Sequence, residues 1–174
     1  MNKTGIIVAM GSELEMLLRE MEVENRVEKN GNTYYCGRIG ANEVVAMQCG
    51  IGKVNAAVGA LTLIEEFEPD VIVNTGIAGG TGQGADVLDV VVGEAVGYHD
   101  VWCGPGNAPG QVQGFPELFK GALYMFDIAP LEADGTVRRG LIASGDRFVS
   151  TPRELADVLA VRPDAIAVDM ESGA

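Results

Sequence analysis

Basic residues are scarce in this chain: 12 Lys and Arg stand against 25 Asp and Glu, leaving a formal net charge of −13. A nucleic-acid backbone is bound through clustered Lys and Arg, so that class of partner is excluded as the principal one. Solubility explains most of the carboxylates without any further role. Histidine occurs once, and the three cysteines, Cys36, Cys49 and Cys103, show no C-x-x-C spacing. That set makes a poor zinc site, and the expectation is reduced, mostly buried thiols with no metal. No run of about 18 apolar residues occurs, and no basic segment precedes an apolar stretch at the N-terminus. Neither a membrane partner nor a secretory leader is expected, which places the protein in the cytoplasm. No linker, repeat or low-complexity tract divides the 174 residues, so the whole span 1–174 is expected to form one domain.

Glycine and aliphatic residues, by contrast, are abundant: 24 glycines in a chain that is 47% hydrophobic. Short, almost wholly apolar segments alternate with helical patterns, which points to an α/β protein whose sheet is covered on both faces. Gly5 to Met10 has the profile of a central strand. A helix is predicted from Ser12 to about Met21, with Ser12 and Glu15 as a capping box and Leu14, Leu17, Leu18 and Met21 on one face. Thr33 to Ile39 and Val44 to Cys49 read as a hairpin around Gly40-Ala41-Asn42. A second helix is predicted from Lys53 to Phe67, its apolar face marked by Val54, Ala57, Val58, Leu61 and Ile64, returning the chain to a strand at Val71 to Asn74. Further strands are expected at Val87 to Val92, Gly140 to Ser144 and Ala165 to Met170. The last follows a helix with Thr151 as cap, Pro152 at its first position and Glu154 completing a box. Tyr98 to Pro116 lacks periodicity and is rich in Gly and Pro, the mark of a long loop with a functional or interfacial purpose.

Ligands of open α/β sheets collect at the carboxyl ends of strands, and four groups lie just past such ends. Glu13 follows the first strand, at a helix start whose amide dipoles favour a carboxylate that can take a proton from water. Asn74-Thr75-Gly76-Ile77-Ala78-Gly79-Gly80 follows the Val71 strand, and its glycines allow a ligand to approach bare backbone amides. Ser144-Gly145-Asp146-Arg147-Phe148-Val149 offers an aromatic beside free backbone groups, which suits a flat heterocycle. Asp169-Met170-Glu171 offers a second carboxylate able to accept hydrogen bonds from sugar hydroxyls. Each has a plainer reading: a helix start for Glu13, a simple turn for the glycines, a core position for Phe148 and a solvated helix start for Glu171.

Together the motifs resemble one family, the 5'-methylthioadenosine/S-adenosylhomocysteine nucleosidases of the nucleoside phosphorylase superfamily. Gly5-Ile6-Ile7 with Ala9-Met10 and Glu13, Gly50-Ile51-Gly52-Lys53-Val54, Asn74-Thr75-Gly76 with Ala78-Gly79-Gly80, Tyr98-His99-Asp100, Ser144-Gly145-Asp146 with Phe148, and Val168 with Met170-Glu171 fall in the family's order and approximate spacing. The resemblance implies a three-layer α/β/α fold with a mixed, largely parallel central sheet. It implies hydrolysis of an N-ribosidic bond, with no metal and no organic cofactor. By resemblance Glu13 is the general base for water, and Glu171 beside Met170 binds ribose hydroxyls where positive charge develops. Gly79 lines the ribose side, Phe148 stacks on adenine, and the backbone of Val149 pairs with the base's polar edge. Ile51 and Met10 line the alkylthio pocket. The Tyr98 to Pro116 loop is implied to help form a homodimer, which makes His99 interfacial, not catalytic.

The chain departs from the family in two respects. Family members continue for several tens of residues past the Met-Glu motif, through a Ser-Asp pair whose aspartate protonates adenine N7 and an arginine that contacts the water. This sequence stops at Ala174 and contains no Ser-Asp dipeptide. Asp146 and Asp169 do not fall at the donor position, so the expectation is a C-terminally truncated domain that binds substrate but turns over poorly. Ile77 stands where many members carry a small hydroxyl residue near the attacking water. Two rivals are a phosphorylase or other purine nucleosidase of the same fold, and a nucleoside-binding fragment without turnover. Glu13 decides against the phosphorylase, because a carboxylate there would repel phosphate.

Overall fold

β1 (Lys3–Val8) sends Ile7 to one side of its sheet and Val8 to the other, and a helix covers each side. α1 (Gly11–Glu20) packs Leu14, with Met21 just past its end, onto Val8, Val44 and Ala46. α2 (Lys53–Phe67) packs Ala56 and Leu63 onto Ile7, Val45 and Met47. The strict alternation of β4 (Asn42–Gln48) between these two cores is what a strand buried on both faces requires.

This computed structural model describes residues 3–125, 129–132 and 136–174. They form two compact units, one ending at Ile77 and one running Ala78–Gly173. The first holds β1, α1, β2 (Glu22–Lys29), β3 (Asn32–Ile39), β4, α2 and β5 (Val71–Asn74), with strand order β2-β3-β4-β1-β5. β4 and β5 both run parallel to β1, so α2 is a crossover that steps over it, while β2, β3 and β4 form an antiparallel meander. The second holds β6 (Gly79–Gly80), β7 (Val90–Tyr98), β8 (Phe119–Lys120), a 3-10 turn at Leu123–Met125, α3 (Ala129–Glu132), β9 (Val137–Ser144), α4 (Pro152–Val161) and β10 (Ala165–Asp169). Its order is β6-β10-β9-β7-β8. β10, β9 and β7 are parallel, and only the two-residue edges β6 and β8 are antiparallel. The fold is thus α/β, with mixed sheets whose buried centres are parallel.

Several expectations are met closely. α2 and β5 fall where the periodicity puts them, and α4 starts with Thr151 accepting the Glu154 N–H at 3.3 Å while Glu154 accepts the Thr151 N–H at 3.0 Å. Others are corrected. The cap of α1 is Met10, not Ser12, and the reaching carboxylate is Glu13, not Glu15. The apolar face predicted for α2 is the exposed one: Val54, Val58, Leu61 and Ile64 are 49 to 72% exposed, whereas Ala56, Gly59, Thr62 and Leu63 are buried. β2 was not expected, because Glu22, Glu24 and Glu28 mask its pattern; such charges suit an edge strand, which must resist further pairing. β7 begins at Val90 instead of Val87. Cys49 is buried and Cys36 half-buried, its thiol pushed up chiefly by burial, but Cys103 is exposed in the long loop.

That loop, between β7 and β8, is fastened at two places. Gly110 N–H donates to Val101 O at 2.7 Å. Arg162, only 3% exposed at the end of α4, donates to Glu117 Oε1 at 2.7 Å and to Glu117 O at 3.1 Å. Such a desolvated, doubly bonded guanidinium holds the loop more firmly than a surface ion pair would.

Candidate active site

Sequence-predicted site residues fall in both units, and each group has its own geometry. In the first unit the organising side chain is Glu13. α1 begins directly after β1 with a Met at its cap, which has no oxygen to offer the first orphan amides. Glu13 instead reaches back to the two amides that lead into the helix: Oε2 accepts the N–H of Ala9 at 3.0 Å and of Met10 at 2.9 Å. Its other oxygen, Oε1, accepts the Ile77 N–H at 2.9 Å. Bonds from backbone N–H groups to an ionised oxygen are the strong class, and three of them fix both oxygens of one carboxylate.

The glycine-rich loop after β5 explains why Gly76 is glycine. A Cβ there would stand 2.7 Å from Glu13 Oε1, inside contact distance, so any side chain would push the carboxylate away. Thr75 N–H donates to Ile7 O at 3.0 Å, which carries the β1–β5 pairing to the loop's edge. The Ile77 side chain is 77% exposed while its N–H is held. Met10 is half-buried; Ile51 is 55% exposed, between Gly50 and Gly52, whose φ values of 88° and 99° favour glycine. Asn55 Nδ2 donates to Ile51 O at 2.7 Å, pinning that turn to the start of α2.

In the second unit the remaining predicted residues cluster at the ends of β9 and β10. Gly79 pairs antiparallel with Val168, placing the loop's second half beside the strand that delivers Met170 and Glu171. Both of those residues are half-buried. Their turn is held by Asp169, whose Oδ2 accepts the N–H of Ser172 at 2.9 Å and its hydroxyl. After β9, Phe148 is 76% exposed and thus not a core residue, while Val149 packs against the cluster of Ala143, Val158, Ala165 and Val168. The loop and the turn are tied directly: Gly145 N–H donates to Asp169 O at 3.1 Å, and Gly173 N–H to Ser144 Oγ at 3.0 Å. Tyr98 adds a bond from its hydroxyl to Gly173 O.

Sequence reasoning had assigned no part to Asp100 or Ser144, although both lie inside motifs it singled out. Ser144 is fully buried, and Asp100 Oδ2 accepts the Asp146 N–H at 2.7 Å. Side chains that bond to backbone leave no periodic signal, which is why they were passed over. Among the described residues, no group of three or more His, Cys, Asp or Glu side chains is placed to hold a metal ion. None of their helices is long and apolar enough to cross a membrane.

The family model of the phosphorylase superfamily matches residues 3–174. The chain is 41% identical over 177 residues to the 5'-methylthioadenosine/S-adenosylhomocysteine nucleosidase of Hydrogenovibrio crunogenus, covering 99% of this chain and 76% of that protein. Among solved structures it is similar to the nucleosidase of the same description from Neisseria meningitidis in complex with methylthio-immucillin-A. That comparison has a TM-score of 0.92 at 37% identity and covers 99% of this chain and 77% of that one. The Streptococcus pneumoniae MTA/SAH nucleosidase in complex with 8-aminoadenine gives a TM-score of 0.91 at 35% identity, covering 98% and 76%.

Proposed function

The chain belongs to the 5'-methylthioadenosine/S-adenosylhomocysteine nucleosidase family of the phosphorylase superfamily, and from that premise we propose that it is an N-glycosyl hydrolase of these two thioethers. Water would replace adenine at the anomeric carbon, giving free adenine and the thioribose. The observation that supports this reading best is the fixed carboxylate of Glu13. Three backbone donors orient it, so the lone pair that remains, on Oε1, is presented in a set direction to a water proton. As the carbon–nitrogen bond stretches, positive charge grows on the ribose ring. Glu171, next to Met170 at the end of β10, is assigned to the ribose hydroxyls, where a carboxylate favours that charge.

Adenine is assigned to the loop after β9. An aromatic ring left 76% exposed is available to stack on a flat base, and the backbone of Val149 follows at once to read its polar edge. Gly79 lines the ribose side, and Met10 and Ile51 are assigned to the apolar 5' substituent. The departing base takes the bonding electron pair and gains a proton from solvent, which balances the proton that Glu13 takes from the attacking water. Asp146 is exposed, and Asp169 already accepts from Ser172, so neither is assigned as its donor. Phosphorolysis is disfavoured, because the anion it needs would meet Glu13.

The deciding experiment follows adenine release from methylthioadenosine by the 174-residue chain, with and without phosphate, beside Glu13→Gln. Slow, phosphate-independent release that disappears in the variant is expected, slow because no side chain is assigned to protonate the base. Ligand binding with no release would instead make the chain a nucleoside-binding protein.

The chain is also proposed to work in the cytoplasm as a homodimer. For the dimer the support is α2, whose outward Val54, Val58, Leu61 and Ile64 form an apolar stripe on a helix already packed on its other side. Sedimentation should show a dimer that Leu61→Asp with Ile64→Asp converts to monomer; a monomeric parent chain would refute this.

A further inference from the structure

The reaction as assigned uses neither His99 nor Asp100, yet both lie against the loop that carries Phe148. β7 ends at Tyr98 in parallel register with Ser144 at the end of β9, so the two strands release their chains at one level. His99 N–H donates to Ser144 O at 3.1 Å, and one residue later Asp100 Oδ2 accepts the Asp146 N–H at 2.7 Å. Between those bonds the loop sits directly on the pair. A Cβ on Gly145 would stand 2.5 Å from His99 Nε2 and 2.8 Å from Asp100 Cγ. Arg147 N–H turns back to Gly145 O at 2.8 Å, and Phe148 follows. The same Gly145 donates to Asp169 O, one residue before Met170.

A side chain as exposed as Phe148 has little packing to orient it, so its direction must come from the backbone anchors just before it. We propose that Asp100 is a positioning residue for base recognition: its carboxylate fixes the Asp146 amide and so sets where Phe148 and the Val149 backbone meet adenine. The proposal rests on the assignment of adenine to this loop. The bond is charge-assisted and short, and Asp100 reaches the loop from a neighbouring strand end, so its acceptor is fixed in space. What the position needs is an acceptor at a given point, not a negative charge.

The test is calorimetric binding of adenine itself to the 174-residue chain and to Asp100→Asn, Asp100→Glu, Asp100→Ala and Phe148→Ala. Asn keeps an oxygen at the same reach and should bind within about threefold of the parent chain. Ala removes the acceptor, and Glu displaces it by one methylene; each should weaken binding about tenfold, the scale of one lost hydrogen bond to a charged group. Exchange of the Asp146 amide hydrogen should accelerate in the Ala and Glu variants and remain slow in Asn. Unchanged binding in Phe148→Ala would overturn the base-site assignment. Weakened binding there, with parent-like binding in Asp100→Glu and Asp100→Ala, would overturn the positioning role alone. Retention in Glu with loss in Asn would overturn it too, since charge and not place would then be the requirement. The Asn and Glu pair decides the matter even where Ala fails to fold.

Discussion

Replacing Glu13 by Gln, the usual way to remove a general base without altering shape, should here disturb architecture as well as chemistry. Both carboxylate oxygens accept backbone N–H groups: Oε2 from Ala9 and Met10, Oε1 from Ile77. An amide has one oxygen. Turned toward the Ala9 and Met10 pair, it leaves its NH2 facing the Ile77 N–H, donor against donor; turned the other way, it strands two donors at the helix start. The first orientation is cheaper, and its cost is one charge-assisted bond at an exposed backbone position. A hydrogen bond to a charged group contributes about 1.5 to 3 kcal/mol when well desolvated, and access of water to Ile77 reduces this to about 1 kcal/mol. For a chain of this size that corresponds to a melting temperature lower by about 2 to 4 °C. The loss of the base itself should lower adenine release by about 10²- to 10⁴-fold. Thermal denaturation, amide exchange at Ile77 and adenine release on one preparation separate the two effects. A variant with parent-like melting and Ile77 protection would refute the anchoring argument, and one retaining most of its activity would refute the role as base.

Tyr34 is fully buried and its hydroxyl has no hydrogen-bond partner among the described residues, so Tyr34→Phe should stabilise the protein by about 1 kcal/mol in urea denaturation, the penalty of a stranded polar group; a loss of stability would reveal a partner for that oxygen. Leu88 holds a left-handed backbone (φ 75°) with its side chain 92% exposed. Leu88→Gly should therefore relieve about 1 to 2 kcal/mol of strain, partly offset by glycine's entropy, and raise the melting temperature by a degree or more. Glu154 is held down to about 2 from an ordinary 4.5, first by the Ser150 backbone N–H and then by the Thr151 and Ser150 hydroxyls. A depressed carboxylate stabilises the fold above its unfolded value, so the advantage over Glu154→Ala should be full above pH 4.5, shrink below it and vanish near pH 2.

Parts of this molecule could be read from its residues because a local rule and the fold agreed there. Thr151-Pro152 with Glu154 specified the start of α4, and the alternating Val44 to Met47 segment specified a strand buried on both sides. β2 was missed because its charges hide the alternation, although Asn30-Gly31, at φ values of 50° and 80°, is the two-residue turn that announces a hairpin. The site divides the same way. Glu13, Gly79, Phe148 and Glu171 were legible as residues at strand ends, since a sheet's ligands gather there. Asp100 and Asp169 were not legible, because each holds a backbone amide, and the one that Asp100 holds, that of Asp146, lies on another strand's loop.

The misread face of α2 carries a more general point about how a helix chooses which side to bury. By hydropathy its Val, Leu and Ile side should face the sheet, yet the buried side is Ala56, Gly59, Thr62 and Leu63. Size decides the matter. The sheet beneath already presents Met47, Cys49 and the Tyr34 ring, and a Cβ on Gly59 would stand 2.9 Å from Met47 Cε. A helix that meets such large side chains must offer small ones to come close enough for dense packing. Around Gly59 larger side chains would hold it away, and the one large residue of the buried side, Leu63, fits because it lies over Gly5, where a Cβ would stand 2.6 Å from its Cδ2; the other aliphatic side chains take the outer side. Thr62 sits on the buried side because its hydroxyl donates to Val58 O at 3.0 Å and accepts from Asn30 Nδ2 at 3.1 Å. The aliphatic side chains displaced in this way form the outward stripe, which is the surface the proposed homodimer would cover and the one that Leu61→Asp with Ile64→Asp puts to the test.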